Sequence, residues 1–185
     1  VLHRFTGFLL LALSLVWSAS GLATQGLRTL YVTDFNNSYH DYNQTQKNIQ
    51  SLLRQRINID INLVGRQSQE SLDLLKKPGF LEGYDLFIYD ACFADNTDLP
   101  LLRNLHQEIA TRGVPTVFLH CAMHNFRWTS TEPGIYGWGK TSRLMDDWKK
   151  KYPGEDFPAH WTLTGMDSVN HDRIGPFTVN KVANH

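Results

Sequence analysis

The chain alternates between two hydrophobic periods. Leu27 to Asp34 is rich in β-branched and aromatic residues, and it ends in the turn-rich Asp34-Phe35-Asn36-Asn37-Ser38, the pattern of a strand. Tyr42 to Arg56 follows with Ile49, Leu52 and Leu53 on one side, as in a helix. Ile57 to Val64 changes period, alternating apolar and polar residues, which predicts a half-buried strand at or near a sheet edge. A short helix over Glu70 to Lys77, stopped by Pro78-Gly79, precedes a strand at Tyr84 to Tyr89. Leu99 to Arg112 reads as a helix ending before Gly113, and Val114 to Leu119 as the next strand. Strands alternating with helices at this spacing predict βαβ units and a mostly parallel sheet. Beyond Phe126 the pattern loosens into a Gly/Thr/Ser-rich loop over 129–140. A helix at Arg143 to Lys151 and short strands at Trp161 to Gly165 and Pro176 to Val182 follow.

The first 23 residues have a different character. Arg4 is followed by a largely apolar run of eleven, Gly7 to Trp17, and then by Ser18-Ala19-Ser20-Gly21-Leu22-Ala23, where Gly21 and Ala23 form a small-x-small cleavage pattern. The run is short for a membrane span and suits the core of a secretory leader. The expectation is an exported, periplasmic or secreted protein with residues 1–23 as signal peptide, residues 24–185 as one domain, and no stable membrane span once the leader is cleaved.

Composition narrows the classes further. Eighteen basic residues balance eighteen acidic ones, which argues against a nucleic-acid or anionic-membrane partner. A hydrophobic content of 42% can support a core, and two cysteines are too few for a disulfide scaffold or a Cys-rich zinc site.

The distribution of the eight histidines is more informative. Ligands of open parallel sheets bind beyond the carboxyl ends of the strands. His40 follows the first strand; Asp90, Cys92 and Asp95 follow the third; His120, Cys121 and His124 close the fourth; His160 and His171 flank the next candidate strand. His106, within a helix, reads as surface. His120 and His124 have i,i+4 spacing and are a candidate pair for a divalent metal such as zinc. The spacing argument needs a helix, whereas His120 is expected to end a strand. Cys121 stands where a strand turns sharply into a helix, the geometry that exposes a nucleophile. The plainer reading is a buried thiol, and a third is one half of a Cys92–Cys121 disulfide, which an exported protein permits. Tyr39, Tyr42, Phe126, Trp128, Tyr136, Trp138 and Trp161, interleaved with Asn37, Asn125, Asp95 and Asn170, would make a wall suited to stacking a sugar ring, unless half of them are core.

Several blocks in order resemble the ThuA-like (trehalose-utilisation) family: Leu30-Tyr31-Val32-Thr33, Tyr39-His40-Asp41-Tyr42, Gly83 to Tyr89, Gly113 to His124, Trp138-Gly139, Phe157 to Gly165 and Asn170-His171. The resemblance implies a flavodoxin-like α/β fold, an open, mostly parallel sheet with helices on both faces, related to class I glutamine amidotransferases. It implies a role in the metabolism of trehalose-type disaccharides or keto-glycosides, with a small-molecule carbohydrate as partner and self-association left open. His120, Cys121 and His40 are then the candidate catalytic residues, Tyr39, Asp95, His124, Trp138 and His171 the candidate substrate contacts, and His120 and His124 the candidate metal ligands. Two other functions fit the same residues: a non-catalytic carbohydrate-binding or accessory domain, and a Cys121-dependent amidotransferase-like hydrolase. Family members continue past Asn184-His185 with further strands, so the domain is expected to be C-terminally incomplete.

Overall fold

The computed structural model describes residues 25–38, 40–129 and 138–167, with the side chains of 138–142 excepted. The proposed leader, Tyr39, Tyr136, Asn170, His171 and the expected strand at Pro176 to Val182 lie outside the described residues, and Trp138 is described in its backbone only.

Four strands, β1 (Leu27–Thr33), β2 (Ile59–Val64), β3 (Leu86–Asp90) and β4 (Thr116–Phe118), form a parallel sheet in the order β2-β1-β3-β4. This is the flavodoxin-like open α/β arrangement that the alternation predicts. The intervening helices are α1 (Tyr42–Arg54), α2 (Ser68–Leu75) and α3 (Leu99–Arg112). The chain moves one way from β1 to β2, then reverses across β1 to reach β3 and β4. Right-handed crossovers therefore place α1 on one face, and α2 and α3, which touch each other, on the opposite face.

With both faces covered, β1 from Thr29 and β3 from Phe87 are buried at every position, and their centres, Leu30-Tyr31-Val32 and Phe87-Ile88-Tyr89, are apolar. Leu30 pairs with Phe87 and Val32 with Tyr89, and all four side chains are fully buried beneath α2 and α3 with Leu75, Leu101, Leu102 and Leu105. Tyr31 and Ile88, one residue out of phase, bury the other face. On β2, Ile59, Ile61 and Leu63 are half-buried while Asp60 and Asn62 are exposed, the edge position that their alternation predicts.

Local chemistry sets the ends of α1 and α3. The Asp41 carboxylate accepts the Gln44 N–H at 2.9 Å at the start of α1. Asp98 does the same for Leu101 at 3.1 Å before α3, whose first turn holds Pro100 and whose end is Gly113 at φ 63°. The apolar side expected on α1 is only partly covered. Ile49 and Leu53 are half-buried, Leu52 is exposed, and the buried residues are Tyr42 and Gln46.

Two expectations need correction. Trp161–Thr164 is a helical turn, α5, rather than a strand, and it is closed by Gly165 at φ 71°. The loop expected over 129–140 gives way at residue 138 to α4 (Trp138–Lys151), which starts five residues before the expected Arg143. Among the described residues, no helix is long and apolar enough to cross a membrane.

Gly65, at the exit of β2, holds the sheet's carboxyl edge together. Its φ is 121°, and a Cβ there would meet the Thr33 carbonyl oxygen at 1.9 Å. The Gly65 carbonyl accepts the Phe35 N–H at 3.0 Å, and its N–H donates to Glu70 at 3.2 Å, so the exits of β1 and β2 and the start of α2 meet at one point. Gly65→Ala should cost at least about 3 kcal/mol, the sum of a strained backbone and an overpacked contact. A urea-melt midpoint within experimental error of wild type would rule out this tie.

Candidate functional site

Strand order reverses between β1 and β3, so the crevice at their carboxyl ends is where the topology places a ligand. Three segments converge there: the loop from β1 carrying Asp34 and His40, the exit of β3 carrying Asp90 and Cys92, and the exit of β4. The last is a 3-10 helix, His120–His124, rather than the strand end expected for His120. His120 opens it as an exposed side chain, while Cys121 and His124 are buried.

The histidine rings form a chain of contacts. The His40 and His120 rings stand edge to face with centroids 5.1 Å apart, and His120 and His124 do so at 5.5 Å. On the far side, His40 packs on Tyr42 at 5.4 Å. Beneath them, Asp90 is almost fully buried and accepts a hydrogen bond from the Tyr31 hydroxyl at 2.7 Å. Burial raises the Asp90 carboxyl above its ordinary value, against the opposing pull of the Tyr31 hydroxyl and of His120. A carboxyl under a histidine, in a crevice, is the combination that supports proton transfer.

Cys92 and Cys121 are joined in a disulfide, with Cα atoms 5.0 Å apart. Of the three readings open for Cys121 in the sequence, the bonded one is the one present. While the bond stands, Cys121 has no thiolate with which to attack a substrate. The disulfide fastens the β3 exit to the 3-10 helix. Asn125 reinforces the junction from the buried side, its Oδ1 accepting the Phe93 N–H at 2.6 Å and its Nδ2 donating to the Ala91 carbonyl at 3.0 Å. Asn125 is thus part of the scaffold rather than of a sugar wall.

The sequence-predicted residues divide clearly. His40, His120, Cys121 and His124 come together. Asp95 is largely exposed and forms a two-pronged ion pair with Arg127 at 2.7–2.8 Å. Of the aromatic wall, Tyr42, Phe126 and Trp128 are buried, and Trp128 packs with Phe157 at 5.8 Å, while Trp161 stays partly exposed. His160 is not on the rim. It is buried under the 3-10 helix, where Nε2–H donates to the Ala122 carbonyl at 2.8 Å. His106, expected at the surface, is also buried, its ring 6.2 Å from that of His160. Desolvation depresses both, His106 to about 3 and His160 to about 4, so both are neutral imidazoles at physiological pH.

Tyr31 is the site residue that sequence reasoning misses, because a tyrosine in a strand reads only as core. The metal-ligand geometry also differs from the expected pair. Among the described residues, the group of three ligands within reach of one ion is His40, Cys92 and Cys121, whose ligand atoms lie within 4.8 Å of one another. His124 is not in it.

No protein-family model matches the chain, and neither a curated protein nor a solved structure does.

Proposed function

We propose that the protein is an exported, ThuA-like carbohydrate-active protein that acts on a trehalose-type disaccharide or a keto-glycoside by histidine acid/base chemistry. The observation that carries this reading is the edge-to-face contact of His40 with His120 at the β1/β3 switch point, above the buried Asp90–Tyr31 pair. In it, His40 and His120 exchange protons with the substrate, His124 positions His120, and Asp90 balances the charge that develops on His120. The sugar class rests on the resemblance of the sequence blocks. Export rests on the leader pattern, and the Cys92–Cys121 disulfide is chemistry at home in an oxidising compartment.

The test is titration calorimetry with trehalose and with a 3-keto-glycoside, followed by product analysis by NMR. The expected result is binding with turnover, with His120→Ala slowing turnover by about 10²–10⁴-fold and leaving binding largely intact. Binding without turnover of either sugar would mark an accessory, non-catalytic domain. Activity that appears only after reduction, persists in metal-free protein and disappears in Cys121→Ser would identify the Cys121-dependent hydrolase. Absence of binding to both sugars removes the carbohydrate reading altogether.

A further inference from the structure

The His40, Cys92 and Cys121 cluster lies beyond the carboxyl ends of the strands and draws its members from three separate segments. His40 comes from the β1 loop, Cys92 from the β3 exit, and Cys121 from the 3-10 helix after β4. Histidine with two cysteines is a donor set of intermediate softness, matched to zinc and poorly matched to magnesium or calcium. Zinc binds thiolate sulfur at about 2.3 Å and imidazole nitrogen at about 2.0 Å, which puts ligand atoms about 3.5–3.8 Å apart around a tetrahedral ion. The three donors already lie within 4.8 Å of one another. Opening the S–S bond moves the two sulfurs apart toward that spacing, while the Cα separation of 5.0 Å leaves the backbone free to stay where it is.

We infer that His40, Cys92 and Cys121 form a redox-gated zinc site: closed as the Cys92–Cys121 disulfide, and able to bind one Zn²⁺ once that disulfide is reduced. A dithiol supplies two electrons and two protons to the S–S bond and is itself oxidised to a disulfide. The two cysteine thiols so formed lose their protons to solvent as their sulfurs bind the ion, and neutral His40 donates a ring lone pair. Three protein ligands leave a fourth position for water or substrate, as in catalytic rather than structural zinc sites. The inference is independent of which substrate the crevice takes and does not rest on the sugar reading. It differs from the His120–His124 pair suggested by sequence spacing, since both cysteines belong to it and His124 does not.

The experiment uses the full chain without a polyhistidine tag, oxidised or reduced with a phosphine that does not chelate metal. Cobalt(II) is the first probe and zinc the second. Reduced protein should bind one cobalt with a thiolate-to-cobalt charge-transfer band, and zinc should displace it and protect both cysteines from iodoacetamide. Oxidised protein should show no such band. His40→Ala should keep the thiolate band but weaken binding by more than tenfold, beyond the effect of losing an outer-shell partner. If reduction alone unfolds the chain, far-ultraviolet circular dichroism will show it, and zinc should then restore the folded spectrum. The inference fails if reduced protein gives no thiolate band, or if zinc neither protects the cysteines nor restores the fold. It also fails if oxidised protein binds cobalt through the same band, or if His40→Ala binds as tightly as wild type.

Discussion

Conformational stability should fall steeply as pH drops from about 6.5 to about 4.5, and His106 and His160 should account for most of the loss. In the unfolded chain each imidazole takes up a proton below about 6.5. In the folded chain burial holds His106 neutral to about 3 and His160 to about 4. The unfolded state therefore binds more protons throughout this window, and each histidine removes about 1.4 kcal/mol per pH unit. Together they take about 5 kcal/mol over two units, comparable with the whole stability of an ordinary domain. The stabilisation is fully present above about 6.5 and is lost as pH falls toward the folded values. Asp90 acts in the opposite direction, because its raised carboxyl favours the protonated folded form as pH falls. The exposed Asp85, held down to about 2 by Arg28, loses its contribution only at lower pH. Urea melts at pH 7.5, 6 and 5 measure the slope directly. His106→Leu should roughly halve it, since it removes one of the two buried titrating rings at a position where Nε2 has no hydrogen-bond partner among the described residues. Equal stability at pH 7.5 and 5 would show that these rings are not held neutral.

Those two histidines also show where sequence reasoning stops. The sheet was legible because parallel strands covered on both faces must be apolar, and Leu30-Tyr31-Val32 and Phe87-Ile88-Tyr89 are. Helix α3 was legible to the residue because Asp98, Pro100 and Gly113 each act locally. His106 was misplaced because its polarity outweighed its position. It lies four residues after Leu102 and three before Ile109, on the stripe that faces the core, and that spacing was the signal available. Trp161-Thr162-Leu163-Thr164 alternates like a strand, yet four residues closed by a left-handed glycine make a single helical turn just as well. Period alone does not decide so short a run.

The gathering of residues at the strand ends was legible, and their connections were not. The strand ends supplied His40, His120, Cys121 and His124, which the fold brings together. Which of these touch depends on β4 passing directly into a 3-10 helix, a choice of backbone to which residue spacing is blind. The contact between His40 and His120 spans 80 positions and exists only because β1 and β4 flank β3. Asp95 pairs with Arg127, and Phe126 and Trp128 join the hydrophobic core, contacts set by distant neighbours that residue spacing does not reveal.

Loss of the Cys92–Cys121 bond should be the most damaging single covalent change, costing about 3.5 kcal/mol. The bond closes a loop of 29 residues, and the loop-closure entropy of an unfolded chain sets that figure. The loop contains all of α3 and β4, so the cross-link ties the last described strand to the centre of the sheet. β4 needs the tie, because it has three residues, pairs only with β3 among the described residues, and leaves Val117 43% exposed. The urea melt of the double variant Cys92→Ala, Cys121→Ala, compared with oxidised wild type in metal-free buffer, reads the loss of the cross-link. A fall in melting temperature of about 10 °C should accompany it. Because the same bond holds the 3-10 helix on β3, exchange of the amides of 120–124 should accelerate more than that of β1. If the double variant melts within about 1 kcal/mol of wild type, or if β1 and the 3-10 helix accelerate equally, the disulfide is not what anchors the histidines to the sheet.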